Sequence, residues 1–242
     1  MSSRARLPKA SDLVVTALRQ QILVERLPVG TRLASETDLM DAYGVGRVSV
    51  REALRILERD GLVDIRRGAS GGIFVREVGI EQLSDALAVL LSTRDTSLAD
   101  FADFRLHLEP SVARLAAVNA SPEQRAQLMD IAEQWSDGKV VADFHGLVAA
   151  ASGNGVHEII VGALRLSLES QVRHEVVSRE YSADNVREHI AIARAISEGR
   201  AEDAEARMRA HLEGYRSFVV EPGLASEPVI PRRTRSGDHA PT

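Results

Sequence analysis

The sequence predicts a mainly α protein in two parts: three helices and a β-hairpin, then an all-α antiparallel bundle. Three observations carry that expectation. Apolar residues recur at helical spacing along most of the 242 residues. Strand-like alternation around a glycine-rich turn occurs over 62–77. Beyond residue 80 strand signals disappear, and helical runs are separated by Ser, Gly and Asn.

The elements follow in order. Residues 11–26 place Leu13, Val14, Ala17, Leu18, Ile22 and Leu23 on a helical stripe. The segment LPVGTRL holds a Pro and a Gly and reads as a connection. Ser35, with Asp38 three residues on, has the spacing of a capping box and opens a short helix to Tyr43. Gly44-Val45-Gly46 breaks it, and a third helix runs from Arg47 to about Asp60, ended by Gly61. LVDIR and IFVRE flank RGASGG as two strands around a turn. Helices are then expected over about 81–94, 97–119, 121–136, 139–151, 155–179, 182–198 and 200–219. The expected organisation is a first domain over 1–78, a helical domain over 79–221 and a disordered tail over 222–242, where prolines gather and apolar residues thin out.

Composition narrows the function. With 44% hydrophobic and 27% charged residues the chain is an ordinary globular protein. It has no cysteine, which removes disulfides, thiolate metal sites and cysteine nucleophiles and fits a reducing cytoplasm, the expected location. No stretch approaches 18 uninterrupted apolar residues, so no membrane partner is expected, and the basic N-terminus lacks the apolar core of a secretory signal. The net charge of −5 argues against nucleic acid until it is divided. Residues 1–75 hold 12 basic and 9 acidic residues, net +3, which leaves −8 for the rest.

Helix, short helix, glycine turn, helix and hairpin is the plan of a winged helix-turn-helix, whose third helix enters the DNA major groove by its N-terminal end. Here that helix carries Arg47, Arg51, Arg55 and Arg59 at four-residue spacing, hence on one face, while Val50, Ala53, Leu54 and Leu57 line another. Arginine forks onto guanine edges or phosphates. Arg67 sits in the wing, where neighbouring glycines let backbone approach a groove.

These residues resemble a known family. LASETDLMDAYGVGRVSVREALRILERDGLVDIRRGASGGIFV is similar to the DNA-binding domain of GntR-type bacterial transcription regulators, VREALRILERDGLV being its most specific part. The resemblance implies DNA contacts from Arg47, Ser49 and Arg51 of the third helix and from Arg67 and Gly68 of the wing. Two positions depart from the family pattern. Thr37 stands where an Arg is usual, keeping a weaker phosphate contact, and Gly46 replaces a polar cap before Arg47.

In the second part, His189 and His211 lie 22 residues apart in consecutive helical runs. An antiparallel hairpin about Gly199 sets them opposite one another, and a helix carrying His145 can close a site between them. This part resembles the helical FCD ligand-binding domain of the FadR subfamily, through Arg105-x-x-x-Glu109, Phe144-His145, Ser152-x-Asn154, Glu188-His189 and Ala206-x-Met208-x-x-His211. The resemblance implies a small organic-acid effector contacted by Arg105, Asn154, His145, His189 and His211. Many members hold a divalent metal with one Asp and three His, the Asp one helical turn before the first His. Val141 occupies that position here. Two alternatives stand: His145, His189 and His211 hold zinc or nickel as a three-histidine site, or the pocket is metal-free.

The expected function is therefore a sequence-specific, effector-controlled DNA-binding transcription regulator rather than an enzyme. The family implies a repressor acting as a homodimer on a palindromic operator in double-stranded DNA. The alternative from another class is a His-metal-dependent hydrolase built on the helical part. No carboxylate accompanies the histidines in an HExxH-like spacing, and a hydrolase gives no reason for the winged head.

Overall fold

Apolar spacing and glycine stops set the first unit. In the computed structural model, which describes residues 9–68, 70–136, 144–169, 183–220 and 223–230, helices α1 (Ala10–Val24), α2 (Glu36–Tyr43) and α3 (Arg47–Arg59) precede strands β1 (Val63–Arg66) and β2 (Gly72–Val75). Ser35 caps α2 through a reciprocal box with Asp38. Gly46 gives α3 no side-chain cap. Gly61 leaves α3 at φ 76°, the left-handed geometry that glycine adopts without strain.

β1 and β2 pair antiparallel, with Val63 opposite Val75 and Ile65 opposite Ile73. The connection before α2 has more order than its Pro and Gly suggest. Thr31 and Leu33 exchange backbone hydrogen bonds with Val75 and Ile73, so this stretch lies along the free edge of β2. Val14, Leu18, Leu39, Val50, Leu54, Leu57, Val63 and Val75 close one core beneath the three helices and the hairpin. At the turn, a Cβ on Gly71 would lie 2.5 Å from the carbonyl oxygen of Arg66, so the wing closes only around a glycine.

The chain divides into two units, 1–82 and 83–242. The second contains α4 (Glu81–Thr93, which begins in the first unit), α5 (Leu98–Asn119), α6 (Pro122–Ser136), α7 (Phe144–Ala151), α8 (Gly155–Glu169), α9 (Ala183–Ser197) and α10 (Ala201–Val220). The expected helical stretches over 139–143, 170–179 and 182 lie outside the described residues. α10 lies along α5, and α9 packs against α6 and α10. Alanines make that close approach: Ala113, Ala116, Ala132, Ala193, Ala195 and Ala204 are buried among Leu128, Phe144, Ile196, Met208 and Leu212.

One side chain ties two helix ends together. The Arg125 guanidinium, on α6, donates to the carbonyls of Ala117 and Ala120 at the end of α5 and of Ile196 and Ser197 at the end of α9. A cation there satisfies orphan carbonyls and opposes the negative ends of both helix dipoles.

The expected disordered tail needs correction. Residues 224–226 form a 3-10 turn, and Pro228 bridges Ser97. Leu98 N–H donates to Glu227 O and Val229 N–H to Thr96 O. Val229 and Ile230 are buried with Leu98, Phe101, Tyr215 and Val219. An apolar Val-Ile pair inside a proline-rich stretch is enough to dock the segment, because its backbone hydrogen bonds are met by the α4–α5 connection. Residues 231–242 lie outside the described residues.

Candidate functional site

Two surfaces carry the expected residues, one in each unit. In the first, α3 turns Val50, Ala53, Leu54 and Leu57 into the core and leaves Arg47, Arg51, Arg55 and Arg59 exposed. Arg47, Arg55 and Arg67 make no hydrogen bond or ion pair among the described residues, so three cations stand available on this side. Arg51 is held: its Nε donates to Glu36 Oε2 at 3.0 Å, across from α2. Arg66 packs its guanidinium 4.5 Å from the Phe74 ring centre, which orients the wing.

A groove of about 550 Å³ runs between α3 and the wing, lined by Glu36, Arg51, Leu54, Arg55, Glu58, Ile65, Arg66 and Arg67. Ser49 is half-buried in the first turn of α3, and Thr37 is exposed in the first turn of α2. Gly68 sits in the wing turn at φ 100°, with open space around its Cα. The missing side-chain cap at Gly46 leaves the first N–H groups of α3 without a side-chain acceptor. A helix start of that kind is a ready anion site.

In the second unit, α7, α9 and α10 bring His145, His189 and His211 together. One ring nitrogen from each lies within 4.8 Å of the others. Nε2 of His189 is 3.2 Å from Nε2 of His211, across the α9–α10 hairpin. All three are buried, at 2%, 0% and 3% exposure. Phe144 stacks on His189 at 4.4 Å. His107 and His157 lie apart from this cluster: His107 is exposed beside Asp103 O, and His157 Nδ1 lies 3.3 Å from Ser152 Oγ.

Two carboxylates stand behind the histidines. Glu109 Oε2 lies 2.6 Å from Nδ1 of His145, and Glu188 Oε2 lies 2.7 Å from Nδ1 of His211. Sequence reasoning gave neither contact, because each bridges separate helices. Burial alone raises the Glu109 carboxyl, but Arg105 and His145 beside it hold it well below the usual carboxylate range. Burial lowers His145, and Arg105 adds to that against the pull of Glu109. Burial lowers His189 well below its ordinary value, with His145, His211, Arg105 and Arg165 acting in the same direction. Buried neutral imidazoles are the form that binds metals.

The cluster fits a divalent metal. Three buried nitrogens converge, and His145 Nε2 has no hydrogen-bond partner among the described residues. The Glu188 carboxylate behind the His211 ring orients it as in carboxylate–histidine–metal arrangements, and Glu109 lies 2.6 Å from His145 Nδ1. Val141, the position of the missing Asp, lies outside the described residues. Arg165 is buried and acts on His189.

Arg105 and Asn154, the other two residues expected to contact the effector, have partners within the chain. Arg105 Nε donates to Glu109 Oε1 at 2.7 Å, and its guanidinium lies 5.2 Å from the Tyr215 ring centre and 5.7 Å from that of Phe101. A buried cation one turn from a buried carboxylate pairs with it first. Asn154 is exposed, and its side chain accepts from Val156 N–H, opening α8.

Comparison with known proteins agrees with both units. Residues 10–75 match the bacterial regulatory proteins of the gntR family, and residues 100–214 match the FCD domain. The chain is 35% identical over 217 residues to the HTH-type transcriptional repressor NanR of Enterobacter sp. (strain 638), covering 84% of this chain and 83% of that one. It is 33% identical over 221 residues to NanR of Escherichia coli (strain K12), covering 84% and 82%. Among solved structures, Streptococcus agalactiae GntR superimposes with a TM-score of 0.58 at 25% identity, covering 85% of this chain and 98% of that one.

Proposed function

The chain belongs to the gntR family of bacterial regulatory proteins, its helical unit being an FCD domain, and from that membership we propose that it is a homodimeric repressor whose hold on a palindromic operator answers to a small organic acid. It is an effector-controlled, DNA-binding transcription regulator and not an enzyme; the hydrolase alternative gives way to a family and relatives that are regulators. The observation that carries the reading is the outer face of α3, with Arg47 and Arg55 uncommitted and Arg51 held by Glu36 beside the wing groove.

Arg47, Arg51 and Ser49 read the major groove, while Thr37, Arg67 and Gly68 meet the backbone of the operator. Two heads related by a two-fold axis meet two half-sites about one helical turn apart. The relatives are named repressors, and occlusion of a promoter is the simplest use of such a dimer.

The organic acid binds beside His145, His189 and His211. Arg105 and Glu109 neutralise one another, so an anion is met by ring N–H donors of the neutral histidines or by a zinc or nickel ion held by them. When bound, the metal would supply a Lewis-acidic centre for a carboxylate. Operator sequences are first selected by the full-length protein from a randomised duplex pool. Candidate acids are then titrated into the complex with zinc or with a chelator. Release of DNA by one acid, abolished by His189→Ala, supports the reading. DNA binding indifferent to every acid and to zinc overturns its effector half.

A further inference from the structure

Val48 has no structural reason to be where it is. At 81% exposure it is the most exposed large apolar side chain among the described residues. It occupies the first turn of α3. On 100° steps it lies roughly opposite the mean direction of Val50, Ala53, Leu54 and Leu57, the four buried residues of that helix. It therefore contributes nothing to the core. A β-branched residue is also a poor choice for an exposed helix position on propensity.

Its surroundings are polar. Val48 shares its face with Arg51, Glu52, Arg55 and Arg59, and with the half-buried Ile56. An isolated apolar side chain on a protein surface is ordinary. One at the centre of a cationic face, on the turn that enters the groove first, is placed to meet the edge of a base. In the major groove the apolar feature of a base pair is the C5 methyl of thymine.

The geometry points to Val48 as a specificity-determining residue that packs its two methyl groups against a thymine methyl in each operator half-site. This rests on α3 being the DNA-reading helix. Arg47 and Arg51 on either side anchor the helix, and Val48 makes the position between their contacts prefer T·A over C·G. Removing the methyl withdraws one buried carbon, worth about a fourfold loss per half-site and on the order of tenfold for a palindrome.

The test uses full-length protein and the duplex that it selects from a randomised pool. Each thymine is replaced in turn by deoxyuridine, which removes the methyl and keeps the pairing. The expected result is one thymine in each half-site whose replacement weakens wild-type binding by about fourfold, with Val48→Ala binding both duplexes equally. The isosteric Val48→Thr, which keeps one methyl, should retain part of the discrimination. The proposal is overturned if no single thymine methyl matters to wild type, or if Val48→Ala discriminates as wild type does. The underlying reading fails separately, if Arg47→Ala with Arg51→Ala leaves affinity for the same duplex unchanged.

Discussion

Glu188 Oε2 lies 2.7 Å from Nδ1 of His211. A carboxylate only accepts, so the contact favours a proton on Nδ1 and makes Nε2, 3.2 Å from His189 Nε2, the nitrogen available to a metal. Outer-shell carboxylates of this kind matter to metal affinity by about ten- to a hundredfold. Glu188→Ala should therefore weaken zinc binding by that order while the fold survives, since the Glu188 side chain is 46% exposed. Competition with a chromophoric chelator measures it; an unchanged affinity removes Glu188 from the site.

The DNA-reading face gives a second prediction. Arg47→Ala and Arg51→Ala should each cost about 1–3 kcal/mol of operator affinity where the side chain reads a base, with circular dichroism unchanged because alanine favours helix. Wild-type binding should fall steeply with salt. Fluorescence anisotropy across a salt series reads both.

The Glu36–Arg51 pair gives a third. Both partners are more than a third exposed or close to it, so the pair adds little stability. Its value lies in aim: the contact holds the Arg51 guanidinium by its Nε. Glu36→Gln also removes a negative charge from the groove proposed to meet DNA. Non-specific affinity should rise and preference for the operator should fall, each by roughly a few-fold. Parallel titration of operator and scrambled duplex shows whether the two move apart.

Acidity should unfold the helical unit early. His189 and His145 have folded-state values lowered by burial. Below the ordinary value of about 6.5 the unfolded chain takes up protons that the folded chain refuses. Stability should therefore fall as pH drops below about 6.5, and His189→Gln should flatten that slope. Thermal melts between pH 5 and 8 with a chelator present follow it; a slope unaffected by the substitution would show the histidines titrating normally.

Much of this architecture was legible in local pattern. The Ser35–Asp38 box, the stop at Gly61 and the stripe of α3 all act within one or two turns, and the structure has them where the spacing places them. The convergence of His189 and His211 was legible too, because a hairpin about one glycine fixes which residues face each other. What local pattern could not give were partners set by packing of distant helices. Glu109 behind His145 and Glu36 beside Arg51 are of this kind. The Arg105–Glu109 pair was readable as one turn of helix, but its burial between Phe101 and Tyr215 was not. The docked Val229-Ile230 was hidden by the prolines around it.

Arg125 makes a fulcrum. It pins the ends of α5 and α9 to each other, and at 1.5 Å per residue Glu109 and His189 stand about 10–12 Å up their helices from that pin. Two helices joined at one end separate most easily as a wedge. Prying the rods apart by about 1 Å at the histidines corresponds to a rotation of roughly 5°, and the displacement it produces grows with distance along α5 toward its first turn. There Leu98 and Phe101 hold the docked segment around Val229. A guest of the kind proposed at the histidines would thus have leverage, its displacement magnified toward the first turn of α5.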